Sequence, residues 1–186
     1  LGAGVAKRLP QPKKWEYVRV GRSKLHGRGL FAARDLPKGT CVMEYLGERV
    51  TKKEGNRRTD EQWAQGRVYT FELSTRVDLD GKVRSNIARL ANFSCDPNCE
   101  SFNEDSRRIW IRAMRDIKEG EEITYDYCFP LIEPPPVCRC GAKKCRGYIV
   151  GEEHAAELKE WLEKQAEAAA LEKAHHHAPR AKRRKA

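Results

Sequence analysis

No apolar run in these 186 residues approaches the roughly 18 needed to cross a bilayer. The first residues lack the apolar stretch of a secretory signal, and the chain does not open on methionine. No membrane contact is expected, and the expected compartment is intracellular. Acids are missing from both ends. Lys7, Arg8, Lys13 and Lys14 lie near the start, and Arg180, Lys182, Arg183, Arg184 and Lys185 near the end. These nine cations account for all but one of the net charge of +10, so the body between them is close to neutral. A near-neutral body argues against a dedicated nucleic-acid binder. Weak nucleic-acid contact would run through the basic ends, and Lys182-Arg183-Arg184-Lys185 could act as a nuclear address. The length suits one domain with tails.

Long periodic stretches are also scarce. Residues 1–14 hold Gly, Pro and Lys without periodicity and read as a flexible arm. Short strand-like runs follow at Glu16 to Val20, Gly29 to Arg34, Cys41 to Val50, Val68 to Leu73, Val77 to Leu79, Ile109 to Ile117 and Glu121 to Tyr127. Residues 51 to 66 could hold a short helix, weakened by Gly55. Ser85 to Phe93 suits another. Asp35-Leu36-Pro37-Lys38-Gly39 and Asp116-Ile117-Lys118-Glu119-Gly120 resemble each other as strand-turn-strand corners. Pro134-Pro135-Pro136 stiffens the approach to a cysteine cluster. Glu152 to Ala174 predicts a helix whose apolar face, Leu158, Trp161, Leu162, Ala169 and Leu171, would pack on the body. Residues 175–186 read as a disordered basic tail.

Seven cysteines are present, an odd number, and three fall within Cys138-Arg139-Cys140-Gly141-Ala142-Lys143-Lys144-Cys145. Without a secretion signal this crowding points to metal rather than disulfides. Zinc takes four soft ligands in a tetrahedron, and thiolates supply them well. Cys138, Cys140 and Cys145 provide three. Spacing leaves Cys95, Cys99, Cys128 and His154 open as the fourth. The plainer alternative is a set of buried or free thiols.

Three further stretches carry candidate chemistry. In His26-Gly27-Arg28-Gly29 two glycines allow a sharp bend or close approach to a ligand. The third glycine and following helix of a dinucleotide fingerprint are missing. Asn92-Phe93-Ser94-Cys95-Asp96-Pro97-Asn98-Cys99 combines an amide that can read a ligand with a turn. Tyr125 and Tyr127 lie two apart on a strand and so share a face, where paired hydroxyls could orient an amine. Each of these also has an ordinary structural reading, as a tight turn, a turn cap, or half-buried strand tyrosines.

Taken in order, the motifs resemble those of SET-domain lysine methyltransferases with a post-SET cysteine motif. The likeness is nearest to the trithorax-like class and to small stand-alone bacterial SET proteins. It runs from about Tyr17 to Tyr148. It rests on six motifs: His26-Gly27-Arg28-Gly29-Leu30-Phe31, Glu44-Tyr45-Leu46-Gly47, Asn86-Ile87-Ala88-Arg89, the Asn92 to Cys99 stretch, Glu121-Glu122-Ile123-Thr124-Tyr125-Asp126-Tyr127, and the cysteine cluster.

The resemblance implies a mainly β SET fold. Small curved sheets and short helices would surround a knot-like C-terminal crossing at 15–133, with a post-SET zinc segment at 134–150 and a C-terminal helix at 151–174. It implies S-adenosylmethionine and one structural zinc. The backbone at His26, Gly27, Arg28 and Gly29 would hold the methionine end of the cofactor. Asn92 and the Phe93 backbone would hold the adenosine. Tyr69 would line the cofactor side, and Arg139 would close over the adenine. Cys95 becomes the fourth ligand beside Cys138, Cys140 and Cys145. Tyr127 would be the central tyrosine, Tyr45 would line the lysine channel, and Tyr125 would restrict the product mainly to monomethyllysine. Phe93 stands where the family usually carries His. The expected substrate is a lysine-containing protein, a histone tail or another basic protein, taken by a monomer. Its place would be chromatin in a eukaryote or the cytoplasm of a bacterium. A catalytically inactive, peptide-binding SET module is the alternative.

Overall fold

The computed structural model describes residues 16–176, so the basic arm at 1–14 and the tail beyond 176 lie outside the described residues. The chain order is β1 (Val18–Arg22), β2 (Arg28–Ala32), β3 (Cys41–Tyr45), β4 (Glu48–Thr51), α1 (Lys52–Ala64), β5 (Thr70–Glu72) and β6 (Val77–Asp80). A 3-10 turn at Ile87–Leu90 leads to β7 (Asn92–Phe93), β8 (Cys99–Glu104), β9 (Arg108–Ala113), β10 (Glu122–Tyr125) and finally α2 (Ala155–His176). Strands predominate, as the short apolar runs imply.

One sheet runs β1-β2-β10-β8-β9-β3, with β7 also on β10; a smaller one runs β4-β6-β5. Strand β10 enters between strands formed earlier. It pairs antiparallel to β2 and parallel to β7 and β8. This late insertion brings Asn92 and Phe93 beside Thr124 and Tyr125. Leu30, Val42, Ile111, Ile117 and Ile123 are almost wholly removed from water and form the shared core.

The two similar turns form one device. Leu36 and Ile117 exchange both backbone hydrogen bonds at 2.8 Å. The Lys38 amide donates to Asp116, and the Glu119 amide donates to Asp35. Gly39 and Gly120 both adopt φ of +84°, a left-handed conformation that glycine reaches without steric cost. The corners thus clasp each other in a reciprocal pattern at the sheet's rim.

Several expected elements are redrawn. The run Cys41 to Val50 is two strands in different sheets, broken at Leu46-Gly47. A Cβ on Gly47 would lie 2.6 Å from the Asp80 carbonyl oxygen, so β4 can reach β6 only with glycine there. Buried Asn86 seals the crossing, accepting from the Leu46 amide and donating to the Gly81 carbonyl. The predicted helix at Ser85 to Phe93 is a single 3-10 turn followed by β7. Pairing with β10 outweighs the local helical pattern. Strand β8 escapes the sequence because Cys99–Glu104 has no apolar alternation; six paired positions on β9 make it a strand.

Gly55 does weaken α1 in isolation, yet a Cβ there would lie 2.7 Å from Asp78 Cβ. The glycine lets α1 settle on β6, where Lys52 meets Asp78 and Arg58 meets Asp80. Helix α2 starts slightly late and runs two residues into the stretch expected to be tail. Leu158 is buried, and Trp161 meets the Tyr148 ring edge-on at 5.7 Å. Leu162 and Leu171, however, are 37% and 64% exposed, so the apolar face packs only at its start. At 1.5 Å per residue the helix is about 33 Å long, longer than the surface it packs on. Among the described residues no helix is long and apolar enough to cross a membrane.

Candidate active site and cysteine centre

Three features meet where β10 passes β7. The first is the turn between β1 and β2. The Ser23 amide donates to the Gly27 carbonyl, and Gly27 takes φ of +53°. The carbonyls of His26 and Arg28 converge on the Asn92 amide nitrogen, each at 3.3 Å. Glu122 Oε1 accepts from the same nitrogen at 2.7 Å. The Asn92 amide nitrogen fills the point where these three acceptors converge and ties the turn to β7. Phe93 is buried beside Asn92, while Arg139 is exposed between Cys138 and Cys140.

The second feature is an aromatic cavity of about 420 Å³, walled by Trp63, Tyr69, Phe71, Tyr125, Tyr127 and Phe129 among others. Tyr125 and Tyr127 have ring centroids 4.9 Å apart, and Tyr127 meets Phe93 edge-on at 5.4 Å. Tyr127 is therefore the bridge between the cavity and the Asn92–Phe93 face. Its hydroxyl donates to the Ala91 carbonyl at 3.0 Å. Tyr45 stands one layer back, edge-on to Phe71 at 4.7 Å, with its hydroxyl donating to the Tyr69 carbonyl. A Cβ on Gly81 would fall 2.2 Å from the Tyr45 ring, so glycine makes room for that side chain. Burial pushes the phenols of Tyr45, Tyr125 and Tyr127 above their ordinary value near 10, and neighbouring phenols add to the effect. All three stay neutral hydrogen-bonding groups at physiological pH.

The aromatic wall is wider than the sequence disclosed. Phe129 continues the alternation of Tyr125 and Tyr127, a signal that could have found it; its ring lies 5.2 Å from Tyr127. Trp63 reaches Phe129 from α1 at 4.8 Å, a contact no local pattern announces.

The third feature is sulfur. The Sγ atoms of Cys95, Cys138, Cys140 and Cys145 all lie within 4.8 Å of one another. A tetrahedron with zinc–sulfur bonds near 2.3 Å has edges of about 3.8 Å, and Cys95 and Cys138 are 3.8 Å apart. Backbone amides of Cys140, Arg146 and Gly147 donate to Cys138, Cys95 and Cys145, each at 3.4 Å, as suits charged thiolates. The set fits zinc in number, softness and size. The other candidates for fourth ligand are placed differently. Cys99 is buried in β8 with its thiol pushed up to about 12 by burial. Cys128 is exposed, and His154 sits against Glu157.

Arg146, overlooked in the sequence, joins the sulfur centre to the rest. Its backbone amide reaches Cys95, and its guanidinium reaches Asp126 at 2.7 Å and the Val150 carbonyl at 2.8 Å. The same guanidinium lies 5.7 Å from the Phe93 ring centroid. A cation over an aromatic face is favourable, so phenylalanine at position 93 is integrated rather than merely tolerated.

A mainly β fold with this glycine turn, aromatic cavity and cysteine centre defines a recognisable class. The SET domain profile matches residues 27–128, and the chain belongs to the SET domain family. It is similar to "Histone-lysine N-methyltransferase trithorax" of Drosophila virilis, 38% identical over 160 residues, covering 78% of this chain and 4% of that protein. It is also similar to "Histone-lysine N-methyltransferase, H3 lysine-4 specific" of Schizosaccharomyces pombe, 40% identical over 137 residues, covering 71% and 15%. With "Histone-lysine N-methyltransferase 2B" of Homo sapiens it shares 39% over 142 residues, covering 72% and 5%. The chain thus spans a small part of these much longer relatives.

Proposed function

We propose that the chain is a protein-lysine N-methyltransferase that uses S-adenosylmethionine and takes a histone tail or another basic protein as substrate. The observation that carries this reading is Tyr127, in contact with Phe93 on one side and Tyr125 on the other. The Asn92–Phe93 face, read as the cofactor side, and an aromatic cavity that can take an alkyl amine meet at that one ring. Names given to the relatives support the same activity.

S-adenosylmethionine supplies an electrophilic methyl group on a sulfonium sulfur. The backbone at His26, Gly27, Arg28 and Gly29 would hold its methionine end, and the Asn92 side chain with the Phe93 backbone its adenosine. On the opposite side, the aromatic walls strip water from an entering lysine side chain. An ammonium has no lone pair, so lysine must reach its neutral form before attack, and desolvation beside a positive charge favours that form. No carboxylate or imidazole is needed as base. Neutral Tyr127 and Tyr125 hydroxyls orient the amine, and alignment supplies much of the acceleration. Cys95, Cys138, Cys140 and Cys145 would hold zinc and pin the C-terminal segment beside Phe93. A histone substrate would place the protein at chromatin in a eukaryotic cell.

The test is transfer of labelled methyl from S-adenosylmethionine to histones and to a whole-cell lysate by the zinc-loaded chain. Label on protein lysine is expected. A folded chain that binds the cofactor yet labels neither pool would instead be an inactive peptide-binding module.

Tyr125 sets the product in this reading. Its hydroxyl occupies space beside the amine, so mass spectrometry of the product is expected to show mainly monomethyllysine. In Tyr125→Phe the vacated volume should raise the di- and trimethyl share at least about tenfold, a change worth about 1.4 kcal/mol between competing steps. Trimethyllysine from the unaltered chain would overturn this assignment.

A further inference from the structure

Ser23, Asn92 and Glu122 come from three separate stretches and form one hydrogen-bonded chain. Glu122 Oε2 accepts from the Ser23 hydroxyl at 2.9 Å, and Oε1 accepts from Asn92 Nδ2 at 2.7 Å. The Ser23 oxygen in turn accepts from the backbone amides of Leu25 at 2.9 Å and His26 at 3.3 Å. We propose that Glu122 is a positioning residue for the cofactor, acting through Asn92 and through the His26–Gly29 turn. This rests on reading that face as the S-adenosylmethionine site.

The argument is one of donors and acceptors. A carboxamide can face either way, and its neighbours decide which. Turned round, Asn92 would aim its oxygen at three acceptors, namely the His26 and Arg28 carbonyls and Glu122 Oε1, with no proton between them. An ionised carboxylate only accepts, so Glu122 commits Nδ2 to this side and leaves Oδ1 as the free end of the amide. The same logic fixes the turn. Because the Ser23 proton goes to Glu122, the oxygen's lone pairs are available to the Leu25 and His26 amides.

Gly29 shows that the carboxylate's place is built. A Cβ there would lie 2.3 Å from Glu122 Oε1 and 3.0 Å from its carboxyl carbon. The second glycine of the His26–Gly29 motif therefore makes room for Glu122, a use that close approach to a ligand alone does not explain. The backbone of Glu122 is fixed as well. Its carbonyl accepts from Asn98 Nδ2 at 2.8 Å, and Asn98 Oδ1 accepts from the Thr124 amide at 2.9 Å.

The experiment is calorimetric titration of S-adenosylmethionine into the zinc-loaded chain and its variants, with melting curves alongside. Glu122→Ala is expected to weaken binding about tenfold or more, the scale of one charge-assisted hydrogen bond. The change should fall on the cofactor KM rather than on kcat, with Tm within about 4 °C of the parent. Glu122→Gln should recover part of the affinity, since its carbonyl can still accept from Asn92, while its amide meets a Ser23 oxygen whose lone pairs already accept from the Leu25 and His26 amides. In an Asn92→Ala background, Glu122→Ala should add little. Ser23→Ala should weaken binding by a smaller factor, which keeps the idea testable if Glu122→Ala does not fold. Unchanged affinity in Glu122→Ala, equal losses in the Gln and Ala variants, or full additivity with Asn92→Ala would each refute the proposal. If the parent chain itself fails to bind S-adenosylmethionine, the underlying site reading is what falls.

Discussion

Tyr127→Phe is expected to lower methyl transfer by on the order of 100-fold or more, the scale seen when one preorganised hydrogen-bonding group is removed from a reacting centre. The expected loss is in kcat, with affinity for S-adenosylmethionine retained, because the ring keeps its contacts with Phe93 and Tyr125 and only the hydroxyl goes. The hydroxyl's hydrogen bond to Ala91 is also lost, a cost of about 1 kcal/mol in stability. Melting curves separate that small change from the kinetic one. The pH profile gives a second check. Activity should rise with pH as more lysine is neutral. Burial first, then the neighbouring phenol of Tyr69, raises the Tyr127 pKa above 10, so the hydroxyl remains protonated and no falling limb should appear below pH 10. Loss of less than threefold in kcat for Tyr127→Phe would remove it from the centre of the reaction.

Removing zinc should have the second largest effect. The cluster of Phe93, Cys95 and Cys138, with Cys140, Cys145 and Ile149 packed on it, is small. It buries little apolar surface, so zinc held by the four cysteines would be a major restraint on residues 134–150, beside the hydrogen bonds of Arg146. Structural zinc sites hold folded peptides with about 10–16 kcal/mol of binding energy, so its loss should release the segment. The body keeps its own core of β strands. Chelation, or Cys138→Ser, is therefore expected to leave most of the far-ultraviolet circular dichroism intact. Tm should fall by several degrees, and cofactor affinity by about tenfold or more as Phe93 and Arg146 lose their support. Elemental analysis should find one zinc per chain in the parent and far less in Cys138→Ser. A parent chain free of zinc, melting and binding as before, would return the four cysteines to the reading of ordinary thiols.

The degree to which the chain discloses itself varies by element. Ordered motifs were legible because their residue types are chemically restrictive. Three cysteines within eight positions, glycines flanking Arg28, and tyrosines two apart each limit what the backbone can do there. The aromatic wall was half legible. Tyr125, Tyr127 and Phe129 follow a strand's alternation, whereas Trp63 and Phe71 belong to other elements and announce nothing locally. Strand β8 and the break at Leu46-Gly47 were hidden for the same reason. A polar strand is a strand only because of its partner, and a glycine's purpose depends on the atoms it must avoid.

The sequence alone determined the mainly β character, the charged ends, the cysteine cluster and the family likeness, since these follow from composition, spacing and order. Spacing left the fourth sulfur open and the family likeness implied Cys95; the tertiary structure brings it to 3.8 Å from Cys138, 43 positions away. It decided that Glu122 faces Asn92 and lies over Gly29, and that α2 stands clear of the body beyond its first turns. These are matters of distance between remote residues, which long-range strand pairing sets and local pattern does not encode.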